Sequence, residues 1–194
     1  MSQYILQHDE PNCIRCLACE VHCKTNKDLG PGPDPCKIVA FGPVEVDGLP
    51  RQRFVFMPCY HCEDPWCVRA CPTGAMQKRE KDGIVHVDHS RCIGCKSCIA
   101  ACPWGTPQWD PDMHKVVKCD YCMDRVDAGL HPACVTTCVT GCLSFGVATE
   151  LPDPRRERYA RQLLAEPLEG KTKKAKAATR KTKTKTKAKA KTRK

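Results

Sequence analysis

The chain has 194 residues, a formal charge of +10 and 18 cysteines, but only three tryptophans, four phenylalanines and four tyrosines. So few large apolar side chains seldom stabilise a fold of this length, and the cysteines are the obvious cross-links. No stretch reaches the roughly 18 apolar residues of a membrane span. The start from Met1 to Cys13 lacks the basic segment and apolar run of a signal peptide, which favours metal binding over disulfides.

The positive charge belongs to the C-terminal end of the chain. Residues 171–194 contain 13 Lys or Arg and no acid, which leaves 19 basic and 22 acidic residues elsewhere. Such a Lys/Thr/Ala segment has no apolar face and is predicted to be a disordered basic tail. It is expected to be a solvated extension, and electrostatic docking on an anionic surface is the alternative.

Four cysteine groups follow one another along the chain and form an internal repeat. Two cysteines, Cys36 and Cys142, lie outside the groups and are expected to be small buried side chains. Because Cys142 comes four residues after Cys138, it is an alternative ligand in its place. The groups are Cys13, Cys16, Cys19 and Cys23; Cys59, Cys62, Cys67 and Cys71; Cys92, Cys95, Cys98 and Cys102; and Cys119, Cys122, Cys134 and Cys138.

Between and after these groups the sequence predicts only short elements. Gly and Pro exclude helix from the loop at 30–35, and alternating apolar residues indicate strands. The predicted elements are a strand at 53–57, a two-residue hairpin turn at Asp82 and Gly83, a strand at 84–88, a short helix at 99–102, and a polar helix at 154–166 with Tyr159, Leu163 and Leu164 on one side.

The cysteine spacing is typical of [4Fe–4S] clusters. A C-x2-C-x2-C turn directs three thiolates inward, and in the bacterial run C-x2-C-x2-C-x3-C-P the fourth cysteine ligates the other cluster of a pair. The third group, with Pro103 after it, is a complete instance. The second group has the same run with two extra residues before its third cysteine, and Pro72 follows it. Exchange of the fourth ligand therefore pairs the second group with the third, and the first with the fourth.

This exchange predicts four ligand sets, which we number after the group that supplies three of the ligands. The first and fourth groups have no proline after Cys23 and Cys138, so they follow the run less closely. Set 1 is Cys13, Cys16, Cys19 and Cys138; set 2 is Cys59, Cys62, Cys67 and Cys102; set 3 is Cys92, Cys95, Cys98 and Cys71; and set 4 is Cys119, Cys122, Cys134 and Cys23.

The predicted fold class is α+β, with two interleaved bacterial-ferredoxin-like units that bind two [4Fe–4S] clusters each. The four-cluster domain covers residues 1–152, in which an inner unit at 53–108 lies within an outer unit made of 1–52 and 109–152. Residues 153–170 are predicted to be a polar helix and linker, and 171–194 the basic tail.

The cysteines could instead bind zinc or form disulfides, and either chemistry implies a different function. Each C-x2-C could be half of a zinc site, and the basic tail would then suggest a nucleic-acid-binding module. Three cysteines in one loop fit tetrahedral zinc poorly, however, and no H-x3–5-H pair follows. Disulfides would need an oxidising compartment.

Side chains outside the sets are assigned supporting roles. His61, between two ligands, is expected to tune a cluster potential through a hydrogen bond. Nothing indicates a catalytic nucleophile or an acid–base pair, so no catalytic residue is predicted. The remaining assignments are Trp66, Trp104 and Trp109 as shielding or contact residues near the clusters, and Asp124, Arg125 and Asp127 as structural or interface charges.

Residues 59–67 (CYHCEDPWC), 71–79 (CPTGAMQKR), 92–95 (CIGC) and 118–126 (KCDYCMDRV) resemble the iron–sulfur B subunit family of dimethyl sulfoxide reductase. The resemblance covers about residues 10–147, with all four groups in order. The same subunit type serves formate dehydrogenases and thiosulfate, polysulfide and nitrate reductases. Some relatives have Trp at the position of Cys95 and hold a 3Fe cluster, so the resemblance implies four 4Fe clusters here.

Membership of this family implies an electron-transfer subunit without catalysis of its own. A molybdopterin-containing catalytic subunit, with molybdenum or tungsten, would exchange electrons with the cluster near the first group. The electrons would pass through four clusters to a quinone-reactive membrane subunit or a soluble acceptor. The expected location is the cytoplasm, at the inner face of the membrane if the acceptor is a membrane subunit, and export with a signal-bearing partner stays open. The alternative is a soluble mediator between carbon monoxide or formate dehydrogenase and a hydrogenase.

Overall fold

The computed structural model describes residues 3–151, 156–157 and 159–161. Residues 156–157 and 159–161 are helical, within the predicted helix at 154–166. An ion pair joins Glu157 Oε2 to Arg161 Nη2 at 4.0 Å. Leu163, Leu164 and the basic tail at 171–194 lie outside the described residues. No helix in the described ranges is long and apolar enough to cross a membrane.

Among the described residues, eight strands pair into four separate antiparallel sheets of two strands each. A two-stranded sheet is marginally stable on its own in water, so these hairpins depend on the loops and helices packed against them. The pairs are β1 (Tyr4–His8) with β8 (Leu143–Val147), β2 (Lys37–Val46) with β3 (Leu49–Met57), β4 (Met76–Lys78) with β5 (Val85–Val87), and β6 (Gln108–Asp110) with β7 (Lys115–Val117).

Within residues 3–151, five short helices each lie in or beside a cysteine group, and a 3-10 turn covers Glu10–Asn12. Helices this short are not stable alone, so tertiary contacts must hold them. The first helix packs on the fifth and the second on the third, which brings the first cysteine group to the fourth and the second to the third. The helices are α1 (Ala18–Asn26), α2 (Trp66–Arg69), α3 (Ser97–Ala101), α4 (Met123–Asp127) and α5 (Ala133–Thr136).

Most predicted elements are present near the expected positions. The strand predicted at 53–57 is the end of β3, the strand predicted at 84–88 contains β5, and α3 overlaps the helix predicted at 99–102. Residues 30–35 have no helix or strand. The sequence did not predict β1 and β8, which pair between opposite ends of the described domain.

The two-residue turn predicted at Asp82 and Gly83 is wrong. A longer loop joins β4 to β5, closed by hydrogen bonds from the Arg79 N–H to the Ile84 carbonyl (2.8 Å) and from the Gly83 N–H to the Arg79 carbonyl (2.9 Å). The buried Asp82 carboxylate causes the difference, because it accepts a bond from the Ile84 N–H (3.1 Å) and pairs with Arg79. These side-chain bonds stabilise the wider loop, in which Gly83 takes a positive φ of 73°.

Cysteine thiols occupy a large share of the buried core. One apolar cluster contains five cysteines beside Ile38, Phe56 and Leu143. A second surrounds the fully buried Ile84, and Phe145 of β8 contributes to it. Ordinary domains of this size fill such positions with branched aliphatic side chains. The fold is therefore built around its thiols.

Candidate metal centres

The same backbone turn occurs in all four cysteine groups. The residue just before the second cysteine of each group has a positive φ, although three of the four are not glycine. These residues are Arg15 (55°), His61 (45°), Gly94 (71°) and Tyr121 (54°). A positive φ strains an L-residue and is concentrated at functional sites. Such turns point backbone N–H groups into a concavity, an arrangement that holds anions and iron–sulfur clusters.

Gly94 is the one position of the four where a side chain would not fit. A Cβ built there would lie 2.9 Å from the His114 carbonyl oxygen and 3.1 Å from the Trp109 ring. Trp109 thus packs on the turn of the third group, and the Lys96 ammonium lies 4.0 Å from its ring centroid. The predicted contact role of Trp109 has this geometric basis.

Two recesses are lined by four thiols in the combination predicted from sequence. One contains Cys92, Cys95 and Cys98 of the third group together with Cys71 of the second, which is set 3. The recess of set 1 is lined by Cys13, Cys16, Cys19 and Cys138, with His8 and Cys142 beside them. The empty volumes are about 320 Å³ and 330 Å³, including space open to solvent, so both recesses suit a group of the same size.

The other two sets are recognised by interactions among their thiols. Burial raises the pKa of Cys67, and the thiolates of Cys59 and Cys102 add to the rise. Cys62, the remaining member of set 2, is half-buried in the same loop.

Set 4 shows the same mutual interaction. Burial raises the pKa of Cys134, and repulsion from the thiolates of Cys119 and Cys23 contributes. Burial also raises the pKa of Cys122, to which Cys23 adds as well. Cys23 thus lies near three thiols of the fourth group, although it belongs to the first.

Some thiols also interact with a neighbouring set. Burial raises the pKa of Cys98 to about 11, with contributions from Cys71 in its own set and Cys67 of set 2. Burial raises the pKa of Cys119 to about 12, and Cys59 of set 2 contributes.

The last such interaction connects sets 4 and 1 through Cys134 and Cys19. The buried clusters group the same cysteines, Cys98 with Cys67, Cys59 with Cys119, and Cys134 with Cys19, so the sets are neighbours in the order 3, 2, 4, 1.

The residues present fit [4Fe–4S] clusters. Each set offers soft sulfur donors from three neighbours in the chain and one distant cysteine, and all 18 cysteines carry free thiols. Iron must displace the thiol protons, because only the thiolate is a ligand. Backbone N–H groups already point at sulfur: that of His61 lies 3.5 Å from Cys59 Sγ, and that of Met76 lies 3.5 Å from Cys71 Sγ.

Two histidines, the buried His61 and the half-buried His8, have the same fixed orientation. In His61, which is 1% exposed, Nδ1 accepts a 2.8 Å hydrogen bond from the Val85 N–H. In His8, Nδ1 accepts one from the Phe56 N–H (3.3 Å). The remaining proton of each neutral ring is therefore assigned to Nε2, and neither Nε2 has a partner among the described residues. Burial lowers the pKa of both histidines.

The His61 ring also makes a contact between the loops of two sets. It stacks on the Tyr121 ring with the centroids 3.7 Å apart. His61 precedes Cys62 of set 2 and Tyr121 precedes Cys122 of set 4. Its role in tuning a cluster potential stays a prediction. The sequence did not single out His8, because its hydrogen-bond partner, the Phe56 N–H, lies 48 residues away in the chain.

The two cysteines outside the sets are both buried. Cys36 Sγ lies 3.7 Å from the Cys19 carbonyl oxygen, and a hydrogen bond to Cys23, together with burial, raises its pKa. Cys142 Sγ lies 3.4 Å from Cys138 Sγ. The potential ligand atoms of His8, Cys13 and Cys142 also lie within 4.8 Å of one another, so set 1 has a fifth thiol within reach.

We expect the variant Cys138→Ala to retain four 4Fe clusters, because Cys142 can supply the missing corner of set 1. The double variant Cys138→Ala/Cys142→Ala should lose or degrade that cluster. Iron analysis and electron paramagnetic resonance, which separates 4Fe from 3Fe clusters, measure both outcomes. The matched control is Cys102→Ala in set 2, where the nearby group is the Thr106 hydroxyl (3.5 Å) and no replacement is expected. A damaged cluster in the Cys138 single variant would contradict the prediction.

The other two tryptophans lie at the surface. Trp66 and Trp104 are both 53% exposed, and the Trp104 ring meets Tyr60 edge-on at 5.4 Å. Trp66 directly precedes Cys67, and Trp104 comes two residues after Cys102. Both cysteines are set 2 ligands. Each is an exposed aromatic side chain beside a set 2 ligand, and their shielding role stays a prediction.

The charges of α4 make structural contacts. Asp127 accepts hydrogen bonds from Arg79 (2.7 and 2.9 Å) and Lys81 (2.7 Å), which connects α4 to the β4–β5 hairpin. The hydrogen bond from Arg79 is the largest cause that lowers the pKa of Asp127. Arg125 Nε donates to the His131 carbonyl (3.0 Å), and Asp124 lines a surface cavity.

Comparison with known proteins gives the same chemistry. A family model described as a 4Fe-4S dicluster domain matches residues 51–148. Thiosulfate reductase electron transfer subunit PhsB of Salmonella typhi is 44% identical over 147 residues, which are 75% of this chain and 76% of the relative. The B subunit of the anaerobic dimethyl sulfoxide reductase of Escherichia coli K12 is 41% identical over 157 residues, 77% of this chain and 76% of the relative.

A further relative is the iron–sulfur subunit of the nitrate-inducible formate dehydrogenase of Escherichia coli K12. It is 34% identical over 168 residues, which are 79% of this chain and 57% of the relative.

Cysteine-bearing turns in a ferredoxin-like domain of mixed helices and strands define an iron–sulfur protein. The chain belongs to the family of iron–sulfur electron-transfer subunits that includes the B subunit of dimethyl sulfoxide reductase. The resemblance predicted from the cysteine motifs is thereby confirmed, and the comparisons favour iron–sulfur clusters over the zinc-binding alternative.

Proposed function

We propose that the protein is a non-catalytic subunit that relays single electrons through four [4Fe–4S] clusters for a molybdopterin oxidoreductase. The observation that carries the proposal is the lining of the two recesses, in which three thiols of one group meet a fourth from another. The named relatives are subunits of thiosulfate reductase, dimethyl sulfoxide reductase and formate dehydrogenase. Their shared role supports a molybdenum or tungsten catalytic partner here.

Each bound cluster would carry one electron at a time, and the chain controls the surroundings of the clusters. Burial of Cys59, Cys119 and Cys134 excludes water from sets 2 and 4. Backbone N–H groups in the positive-φ turns favour negative charge in each concavity. Hydrogen bonds to sulfur and solvent access are the terms that set the potential of such a cluster.

The electron path follows the neighbouring sets in the order 1, 4, 2, 3, in either direction. The thiol pairs Cys19–Cys134, Cys59–Cys119 and Cys67–Cys98, each within one buried cluster, support this order. Sets 1 and 3 are then the two ends, where electrons enter and leave. Both end sets include an exposed second cysteine, Cys16 in set 1 and Cys95 in set 3.

Exposed apolar side chains beside the end sets suit partner subunits. Ile14 (61% exposed) lies in the set 1 loop and Val21 (64%) follows it, and Ile93 (68%) lies in the set 3 loop. We assign the catalytic subunit to the set 1 end. A quinone-reactive membrane subunit or a soluble acceptor is assigned to the set 3 end.

Anaerobic purification of the tagged full-length chain from its native cells tests the proposal. We expect about sixteen irons per chain and a co-purifying large subunit with molybdenum or tungsten. Metal analysis and mass spectrometry of the same sample measure both. Zinc in place of iron would overturn the cluster assignment, and nickel without molybdenum or tungsten would overturn the partner assignment and favour a mediator between a dehydrogenase and a hydrogenase.

A further inference from the structure

Lys118 is a buried cation in the middle of the domain. Its side chain is 3% exposed, although lysine is almost never fully buried unless it is paired. Its Nζ donates to the carbonyl of Val85 in β5 and to that of Cys119 (2.6 Å). An ammonium has three N–H donors, so these two carbonyls satisfy two of them.

No carboxylate pairs with Lys118 among the described residues. The nearest acid along the chain, Asp120, is engaged with Lys27, whose Nζ lies 2.5 Å from its Oδ1. The same Asp120 oxygen accepts a hydrogen bond from the Cys122 N–H (2.9 Å). A buried charge without a counter-charge destabilises the folded state, so the counter-charge of Lys118 is expected to come from a group that the protein binds.

When iron is bound, the thiolates of two sets would supply that counter-charge. Lys118 directly precedes Cys119 of set 4 and interacts electrostatically with it. Val85, whose carbonyl accepts from Lys118 Nζ, belongs to the same buried cluster as Cys67 of set 2, and the ammonium opposes the rise in the pKa of Cys67. After burial, the Lys118 charge is the next cause that lowers the pKa of His61, which lies between two set 2 ligands. One positive charge therefore lies close to both set 2 and set 4.

We propose that Lys118 is a positioning residue whose fixed positive charge raises the reduction potentials of the set 2 and set 4 clusters together. The inference rests on the proposed function. A cubane with four thiolates is anionic and gains a further negative charge on reduction. A nearby buried cation stabilises the reduced form more than the oxidised form, because the interaction grows with the charge and is weakly screened. Electrons in transit are thereby favoured on the two middle clusters of the relay.

Redox titration of the loaded full-length chain, followed by electron paramagnetic resonance, tests the inference. In Lys118→Met and Lys118→Gln, we expect the one-electron reduction equilibrium of two clusters to fall about tenfold, a shift of about 59 mV to more negative potential. The other two clusters should not shift. Gln keeps N–H donors for the two carbonyls without the charge. Lys118→Arg keeps the charge and should stay within about threefold of the wild type.

The matched control is Lys115→Met. Lys115 Nζ also donates to a backbone carbonyl, that of His89 (2.6 Å), but at the surface. We expect all four potentials to be unchanged in this variant. In a Cys102→Ala background, which removes a set 2 ligand, Lys118→Met should shift only one intact cluster.

Iron content separates this inference from the proposed function. A wild-type chain without four clusters contradicts the proposed function, whereas four clusters with unshifted potentials in Lys118→Met and Lys118→Gln overturn only the inference. An equal shift in Lys115→Met or Lys118→Arg also overturns it. Should both neutral variants fail to load sets 2 and 4, loading by Lys118→Arg supports the need for a positive charge, and failure of Lys118→Arg overturns it.

Discussion

The double variant Cys71→Ala/Cys92→Ala is expected to keep three intact [4Fe–4S] clusters, whereas Cys59→Ala/Cys71→Ala keeps only two. The first pair removes two corners of set 3, although the residues lie in different cysteine groups. The second pair lies in one group but removes one corner each from sets 2 and 3. The reason is the recess in which Cys71 meets three thiols of the third group. Iron per chain and electron paramagnetic resonance count the intact clusters.

The control for this prediction is Cys36→Ala. Cys36 is 3% exposed but belongs to no set, so its removal should leave four intact clusters. The result that would contradict the exchange of ligands is the reverse pattern, with three intact clusters in Cys59→Ala/Cys71→Ala and two in Cys71→Ala/Cys92→Ala. Each group would then hold a cluster of its own.

Removal of iron by an anaerobic chelator is expected to abolish cooperative unfolding. The described strands form only isolated pairs and the helices are short, so little would hold them together without the cross-links at the sets. Where a site forms only in the folded chain, the binding free energy of the metal contributes to folding. We expect the loss of most of the stability of a small domain, on the order of 5–15 kcal/mol. Thermal unfolding by circular dichroism and amide hydrogen exchange measure this loss.

Reconstitution provides the control for iron removal. Reloaded protein should regain its transition, and reloading should improve as the pH rises, because burial raises the pKa of thiols such as Cys19 to about 12 and iron must displace their protons. An iron-free chain that unfolds at the temperature of the loaded protein would contradict this account of the fold.

The local repeat predicted the ligand chemistry because a C-x2-C-x2-C turn is contained within a few residues. The ligand chemistry of this turn can therefore be predicted without knowledge of the rest of the fold. The exchange of fourth ligands also followed from local spacing, and helix packing brings together the groups that it pairs. The motifs at 59–67 and 118–126 predicted the family, which the comparisons confirm.

Three features had no such local signal. The pairing of Tyr4–His8 with Leu143–Val147 joins segments more than a hundred residues apart, and neither strand has a turn that points to the other. The wide loop before β5 depends on burial of the Asp82 carboxylate beside Arg79. His61 and Tyr121 take positive φ values that residues other than glycine seldom adopt, so their identities did not predict the turn.

The sequence by itself determined that sixteen cysteines in four groups favour iron–sulfur clusters, because ligand type and spacing are local properties of the chain. Only the tertiary structure decided which buried groups surround them. Lysine is ordinarily a surface residue, but Lys118 is buried, and its ammonium donates to the carbonyls of Val85 in β5 and of Cys119. Burial depends on every segment that packs nearby, and a linear pattern does not contain that information.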